Sequence, residues 1–361
     1  MSTTLERIRE KAMQQARSCA APGPLTEEWR FGRPGVHAVE WERVLTQGPT
    51  GNMRVEVHAP KVEGLHVLPL AEAPFEELST VRSIGSERLL ALHQAHAGEG
   101  VCIILEPGVQ LHEAVLVNYA SDGLALPTTL ILAGENSRAD VIEKHHGEGD
   151  AKLFGVQKVE LGPNARLSYQ LEHQGSGCSQ AFEIADYTVR DGASLHQLIQ
   201  HARAAWARQE TTLDMLGEGG RAELFSANAL AGTQVLDQRT RQIHSVGNAS
   251  SNLLYKNAVD EKATAIFAGM ILVQPGAHGS DAYQSNRNMM LSDAALVHSL
   301  PGLEILADGV KCSHGSATGP MDEEELFYLL SRGIPRYESQ KLVAQGFLQD
   351  AVDRFHAEEL S

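Results

Sequence analysis

Between about residue 100 and residue 309 the chain is written in short apolar runs, most of them preceded by turn residues and a small side chain. Asn136-Ser137-Arg138-Ala139-Asp140-Val141, Pro163-Asn164-Ala165-Arg166-Leu167, Gly192-Ala193-Ser194-Leu195 and Gly219-Gly220-Arg221-Ala222-Glu223-Leu224 share this wording. Their alanines, at 139, 165, 193 and 222, are 26, 28 and 29 residues apart. Similar punctuation returns at Asp260-Glu261-Lys262-Ala263, Pro275-Gly276-Ala277 and Ser292-Asp293-Ala294. A loose period of this order marks a solenoid or an array of equivalent turns. Inside the runs the pattern alternates and uses β-branched residues, as in Lys158-Val159-Glu160-Leu161 and Arg166-Leu167-Ser168-Tyr169-Gln170-Leu171, which is strand periodicity. The longer 3.6-period segments of a helical solenoid are scarce. A parallel β-helix, each coil stacking apolar side chains on the next, accounts for both features. A β-sandwich with irregular strand spacing is the alternative reading of the same pattern.

The flanks read differently. Residues 5–17 predict a short amphipathic helix with Leu5, Ile8 and Ala12 on one face, interrupted by Pro22-Gly23-Pro24. Glu27-Glu28-Trp29-Arg30, Phe31 and Trp41 then supply aromatic anchors in a loop-rich stretch running through Gly51, and 89–97 predicts another short helix. Near the C-terminus Asp322 is a good N-cap with Glu325 three residues on, a capping-box arrangement. Leu326, Leu329 and Leu330 form an apolar stripe after it. Gly333 suits a helix stop and Pro335 the first turn of the next helix. That helix is expected to run through Leu342 and Val343 toward Gly346, with Phe347, Leu348, Ala351, Val352 and Phe355 forming a third amphipathic face. The expected architecture is mainly β: a mixed N-terminal region (1–98), a parallel β-helix core (99–318) and a small C-terminal helical domain (319–361).

Composition narrows the function classes. The chain has 361 residues, with 42% hydrophobic and 21% charged, values of a soluble globular protein. Its formal charge of −16 disfavours sequence-independent nucleic-acid binding, which needs clustered Lys and Arg. No stretch approaches the roughly 20 apolar residues of a membrane span, and residues 1–17 carry no apolar signal-peptide core. A cytoplasmic protein is expected. Cys19, Cys102, Cys178 and Cys312 are scattered, with neither CxxC nor zinc-like spacing.

The chemically informative stretch is Lys311-Cys312-Ser313-His314-Gly315, between an extended apolar segment and the capped helix. On a strand, residues i and i+2 share a face, so Cys312 and His314 can converge on one ion or sulfur species. A thiolate with an imidazole suits soft metals, and the adjacent Lys311 is expected to favour the thiolate. The alternative is a structural cysteine beside a surface histidine. Two ligands do not complete a metal site, so others must come from elsewhere or from a second chain. Glu143-Lys144-His145-His146-Gly147-Glu148 matches no zinc signature and reads as a solvated turn between strands. There is no G-x-S-x-G elbow, no H-E-x-x-H, no Walker A motif and no G-x-G-x-x-G opening a helix. Many parallel β-helices act on polysaccharides, but no decisive carboxylate pair supports that here.

Asn252-Leu253-Leu254-Tyr255-Lys256 through Asp260, Ala265-Ile266-Phe267-Ala268-Gly269, and Asp281-Ala282-Tyr283-Gln284-Ser285-Asn286-Arg287-Asn288-Met289-Met290-Leu291-Ser292 occur in that order. With 307–315, 326–334 and the upstream Glu-Glu-Trp element, they resemble the SufB/SufD family of iron–sulfur cluster assembly proteins. Agreement is strongest over about 240–350. Asn286-Arg287-Asn288-Met289 stands where SufB-like chains carry a Cys-Asp-Ser stretch, so the resemblance is to the SufD side of the family. Gly309 in place of a usual Asp, and Ser316-Ala317-Thr318, depart from the pattern.

The resemblance implies a right-handed parallel β-helix and a non-enzymatic scaffold subunit. Its β-helix would pair with that of a SufB-like subunit, and its C-terminal helices would dock a SufC-like ATPase through Leu326, Phe327, Tyr328, Leu330, Arg332 and Phe347. His314 first, and Cys312 second, would be ligands of iron or of a nascent iron–sulfur cluster shared across the interface. No cofactor is expected to bind tightly to the isolated chain. A homodimeric or SufB-like scaffold working alone is the nearer alternative; a carbohydrate-active β-helix enzyme is the more distant one.

Overall fold

A computed structural model describes residues 4–23, 25–33, 35–74 and 77–359; Pro24 and the Leu5 side chain lie outside the description. The N-terminal part contains α1 (Thr4–Ser18), α2 (His37–Gln47), β1 (Arg54–His58), β2 (Leu65–Pro69) and α3 (Glu87–His96). The solenoid then opens with β3 (Val101–Leu105), β4 (Val115–Ser121), β5 (Leu124–Ala125) and β6 (Thr128–Ala133). It continues through β7 (Arg138–Gly147), β8 (Lys152–Leu161), β9 (Arg166–Gln174), β10 (Gln180–Val189), β11 (Ser194–Ala202) and β12 (Trp206–Met215). The last strands are β13 (Arg221–Leu230), β14 (Val235–His244), β15 (Ser250–Val259), β16 (Thr264–Val273), β17 (Asp281–Met290), β18 (Leu296–Ile305) and β19 (Lys311–Pro320). Two helices close the chain, α4 (Glu323–Ser331) and α5 (Arg336–Glu359).

From β6 onward successive strands alternate between two sheets. One runs β1-β4-β7-β9-β11-β13-β15-β17-β19, the other β18-β16-β14-β12-β10-β8-β6-β3-β2. Every pairing within the coils is parallel; only β1 on β4 and β2 on β3 are antiparallel. This is a parallel β-solenoid, as the periodicity and the resemblance predict. Its N-terminal edges are paired by β1 and β2, whereas among the described residues β18 and β19 end their sheets with one side of each ladder unpaired.

The register explains the period. Residues 139, 167, 195, 222, 251, 282 and 312 stack on successive coils, giving repeats of 28, 28, 27, 29, 31 and 30 residues. The alanine series in the sequence has the right spacing but mixes two phases. Ala139 and Ala222 lie in strands, whereas Ala165 and Ala193 sit in corners, donating to the Gly162 and Arg190 carbonyls at 3.1 and 3.0 Å. The corners leading into β7, β9, β11, β13 and β15 each use a left-handed residue, Asn136, Asn164, Gly192, Gly219 and Asn248 at φ of 57, 56, 62, 69 and 57°, a conformation accessible to Gly and tolerated by Asn. At Gly192 a Cβ would stand 2.3 Å from Asn164 Oδ1 of the preceding coil, so the two corner residues are chosen together.

Alternate residues of each strand face the interior between the sheets. Near the N-terminal end this interior is apolar and aromatic, built by residues such as Ile103, Val117, Tyr119, Leu167, Tyr187 and Leu213. The outer faces are covered in part. Trp29, Trp41, Leu45 and Leu89 pack on Phe154, Phe182 and Trp206, placing the N-terminal helices over the even-numbered sheet. Trp29 donates its Nε1–H to the Gly85 carbonyl at 3.0 Å and stacks under the Arg208 guanidinium at 4.0 Å. On the opposite sheet, Ala351 and Phe355 of α5 bury against Leu198, Phe225, Ala227 and Leu254.

Two expectations change. α5 runs unbroken through Gly346, so two helices follow the solenoid and the expected third face belongs to the second of them. A helical glycine costs about 1 kcal/mol relative to alanine, which the burial of Ala344, Ala351 and Phe355 readily offsets. The segment around His145 is strand β7, not a solvated turn, and Glu143 and His145 are fully buried. Period-2 alternation turns both inward, where they bond to each other; paired charges inside a strand carry the same polar wording as a loop.

Candidate functional site

The terminal coil carries the thiol–imidazole pair. β19 lies beside β17 with Cys312 opposite Ala282 and His314 opposite Gln284. Both neighbours are buried, so Cys312 and His314 share the interior-facing side of the last strand. Cys312 packs beside Ile271, Val273 and Ala282. His314 is exposed, since β19 is the last strand of its sheet and has a neighbour on one side only. Burial pushes the Cys312 thiol up, the Asp281 carboxylate adds to this, and a backbone hydrogen bond at Ala282 partly opposes it. Strand alternation puts Lys311 on the opposite face from Cys312, and burial, the largest influence on the thiol, favours its protonated form.

A separate polar file runs through the interior and ends on the same strand, at Thr318. His145, His173 and His201 occupy successive rungs. His201 N–H donates to Asn228 Oδ1 on the next rung at 2.8 Å, and Asn257, Asn288 and Thr318 continue the file. Asn228, Asn257 and Asn288 link through amide–amide bonds of 3.0 Å each, and Ser316 donates to Ser299 Oγ at 2.8 Å across the last coil. Sequence reasoning missed this file because its members lie 27 to 31 residues apart and signal nothing until the coils stack.

At the other end of the file, His145, His173 and Glu183 come within 4.8 Å of one another through their ligand atoms, all fully buried. Burial disfavours a charge on His145, but Glu183 and Glu143 outweigh it and hold the imidazole up to about 10. His173 is pushed well down, by burial first and then by His201 and His145.

The helical residues named from the sequence divide in two. Leu326 is buried with Met321, Ala258 and Ala344, and Leu330 packs beside them. Phe347 lies under Lys256 Nζ at 4.7 Å and its carbonyl accepts from the same ammonium at 2.9 Å. These three seat the helices on the odd-numbered sheet. Phe327 and Tyr328 instead stand 71% and 57% exposed, with the Arg332 guanidinium 5.2 Å above the Tyr328 ring. Tyr337 (71% exposed) and Leu342 (47%) extend the exposed apolar set; their exposure is the signal that sequence alone did not give.

Residues 116–347 match the family model described as the SUF system FeS cluster assembly, SufBD core domain. The chain belongs to the SufB/SufD family. It is similar to an iron–sulfur cluster assembly SufBD family protein of Synechocystis, 34% identical over 201 residues, 55% of this chain and 44% of that protein. It is also similar to the iron–sulfur cluster assembly protein SufD of Escherichia coli, 30% identical over 228 residues, 63% of this chain and 54% of that one. SufD of Bacillus subtilis is 28% identical over 291 residues, 76% of this chain and 64% of its own length. The chain thus spans roughly half to two thirds of these relatives. Within the SufB/SufD family it is SufD-like, and the matched stretch runs from β4 into α5, including Cys312, His314 and the six helical residues. Among the described residues, no helix is long and apolar enough to cross a membrane.

Proposed function

We propose that the chain is a SufD-like, non-catalytic subunit of an iron–sulfur cluster assembly scaffold. It pairs with a SufB-like subunit through the last coil of the solenoid, and Cys312 and His314 contribute there to a shared site for iron or a nascent cluster, which is cargo rather than a resident cofactor. The observation that carries this reading is the unpaired ladder edge of β18 and β19 with Cys312 and His314 on its interior-facing side. An unpaired parallel edge is a template for another strand, and two ligands at such an edge complete a coordination sphere only with residues from across it. Nitrogen and sulfur donors match the chemistry: imidazole and thiolate are the ligand types that iron and iron–sulfur clusters take.

A SufC-like ATPase docks on the exposed aromatic surface of α4 and α5, around Phe327, Tyr328 and Arg332, where nucleotide-driven movement of the helices would be transmitted to the odd-numbered sheet through α5. The same open edge could pair two copies of this chain, which is the second reading.

The test is co-expression of the full chain with SufB-like and SufC-like partners, followed by iron and sulfide analysis of the purified complex. The His314→Ala complex is expected to assemble at normal stoichiometry and to lose most of its cluster-building capacity. Full cluster formation by that variant would remove His314 from the mechanism. A chain that forms a homodimer and builds clusters without partners would establish the second reading instead.

A further inference from the structure

Deep in the solenoid, well before the terminal coil, three strands bring together a set of donors that the assembly role does not use. Glu143 and His145 come from β7, His173 from β9 and Glu183 from β10. Glu183 Oε1 lies 2.9 Å from His145 Nδ1 and 3.8 Å from His173 Nδ1. These separations bracket the roughly 3.4 Å expected between ligand atoms that each stand about 2.1 Å from a tetrahedral ion. The other side of His145 is already arranged as metal-bound histidines require: Nε2 is 2.6 Å from Glu143 Oε1. A ring nitrogen held by a carboxylate fixes the tautomer and aims the opposite nitrogen at the ion. Glu143 is itself anchored, accepting from the Tyr169 hydroxyl at 2.8 Å, while Glu183 Oε2 accepts from Gln157 Nε2 at 3.1 Å.

Two observations point to a missing ligand, and a third shows how the site is built. Both nitrogens of His173 are fully buried with no hydrogen-bond partner among the described residues; such a group costs about 1–3 kcal/mol if nothing satisfies it. Gln157 Oε1, on the facing strand, is likewise buried and unpartnered. Gly155 clears the space for Glu183, since a Cβ there would stand 1.9 Å from Glu183 Oε2. The charge count agrees. The hydrogen-bond and ion-pair partners of the two carboxylates are His145, Gln157, Tyr169 and His173, with no Lys or Arg among them. A dication taking the place of the proton between His145 and Glu183 would balance both buried carboxylates, and a dry interior favours that balance.

We propose that His145, His173 and Glu183, oriented by Glu143 and with Gln157 Oε1 in reach as a further oxygen donor, form a structural site for one divalent first-row transition-metal ion of the zinc type. The site stands apart from the Cys312/His314 pair and contains no thiolate. Its nitrogen and oxygen donors suit Zn²⁺ and its congeners rather than a sulfide cluster. Being enclosed on all sides by the stacked coils, it loads as the coils assemble, so the ion acts as a pin between β7, β9 and β10.

The experiment is refolding of the full chain from denaturant with zinc, with cobalt(II), or with neither, then exhaustive dialysis and elemental analysis. About one equivalent of zinc should be retained, with a higher melting temperature than the metal-free protein. The cobalt form should show d–d bands without a thiolate-to-cobalt charge-transfer band. His173→Leu, an apolar replacement of an unpartnered imidazole, should reduce retained zinc at least tenfold, whereas the Cys312→Ser/His314→Ala double variant should retain it fully. A native-folded wild-type chain that keeps no metal overturns the proposal. So does equal retention by His173→Leu, or a thiolate band in the cobalt spectrum. The wild-type cobalt spectrum decides the matter even if His173→Leu fails to fold.

Discussion

Single residues of this protein divide by whether their meaning is local. Cys312 and His314 were legible because strand geometry alone puts i and i+2 on one face. His145 was not, because what makes it a buried group is Glu183, 38 residues away on another strand. Buried histidines also set the acid sensitivity of the fold. Burial pushes His93 down to about 3, where it packs edge-on to Phe154 with ring centroids 4.9 Å apart and His96 on its own helix lowers it further. Burial likewise takes His244 down to about 4 against the upward pull of Asp281 and Asp214. Both have folded-state values below the unfolded value of about 6.5. Between those limits the unfolded chain binds more protons, so stability rises with pH there and is lost as pH falls below about 6.5. Urea unfolding should show a loss of about 2 kcal/mol per histidine between pH 7 and pH 5. His93→Leu should remove its share of that slope; an unchanged slope would show that His93 does not contribute.

Among the elements, α4 and α5 show how the apolar residues of an amphipathic tail divide between packing on the sheet and exposure. The apolar stripes of the tail were legible, but within the docking set the exposed Phe327 and Tyr328 were not separated from the packed Leu326, Leu330 and Phe347. Helix periodicity gives a stripe without saying what covers it. Leu326 and Phe355 turn out to hold the helices on the solenoid, while Phe327 and Tyr328 stay outside. Phe355→Ala should therefore cost about 3–5 kcal/mol by opening a cavity against Phe225 and Leu254, seen as a large drop in melting temperature. Phe327→Asp should change stability by no more than about 0.5 kcal/mol and yet weaken co-purification of the ATPase. Equal retention of the ATPase by this variant would move the docking surface elsewhere.

The whole molecule behaves as a stack in which each coil is stabilised by its neighbours. β1 and β2 pair with the first coils, but β18 and β19 each have a partner on one side only. In the isolated chain, backbone amides of β18 and β19 should exchange with solvent markedly faster than those of β13 and β14, which lie between paired strands on both sides. Addition of a SufB-like partner should slow exchange at β18 and β19 selectively. Protection of the last coil equal to the middle without any partner would argue that the edge is already covered, by a second copy or by other means.

The sequence by itself determined the solenoid, because its cause is local and repeated. Asn or Gly returns at most left-handed corners, with Arg203 and Glu261 at two others, and apolar residues alternate between corners at nearly constant spacing. It also determined the family, through motifs that keep their order along the chain. Only the tertiary structure decided the phase of the coils, the polar file from His145 to Thr318, and the face of each terminal helix. Those depend on which residue stacks on which across 27 to 31 positions of chain. A one-residue change of register turns a side chain from the interior to the solvent, and no local pattern carries that information.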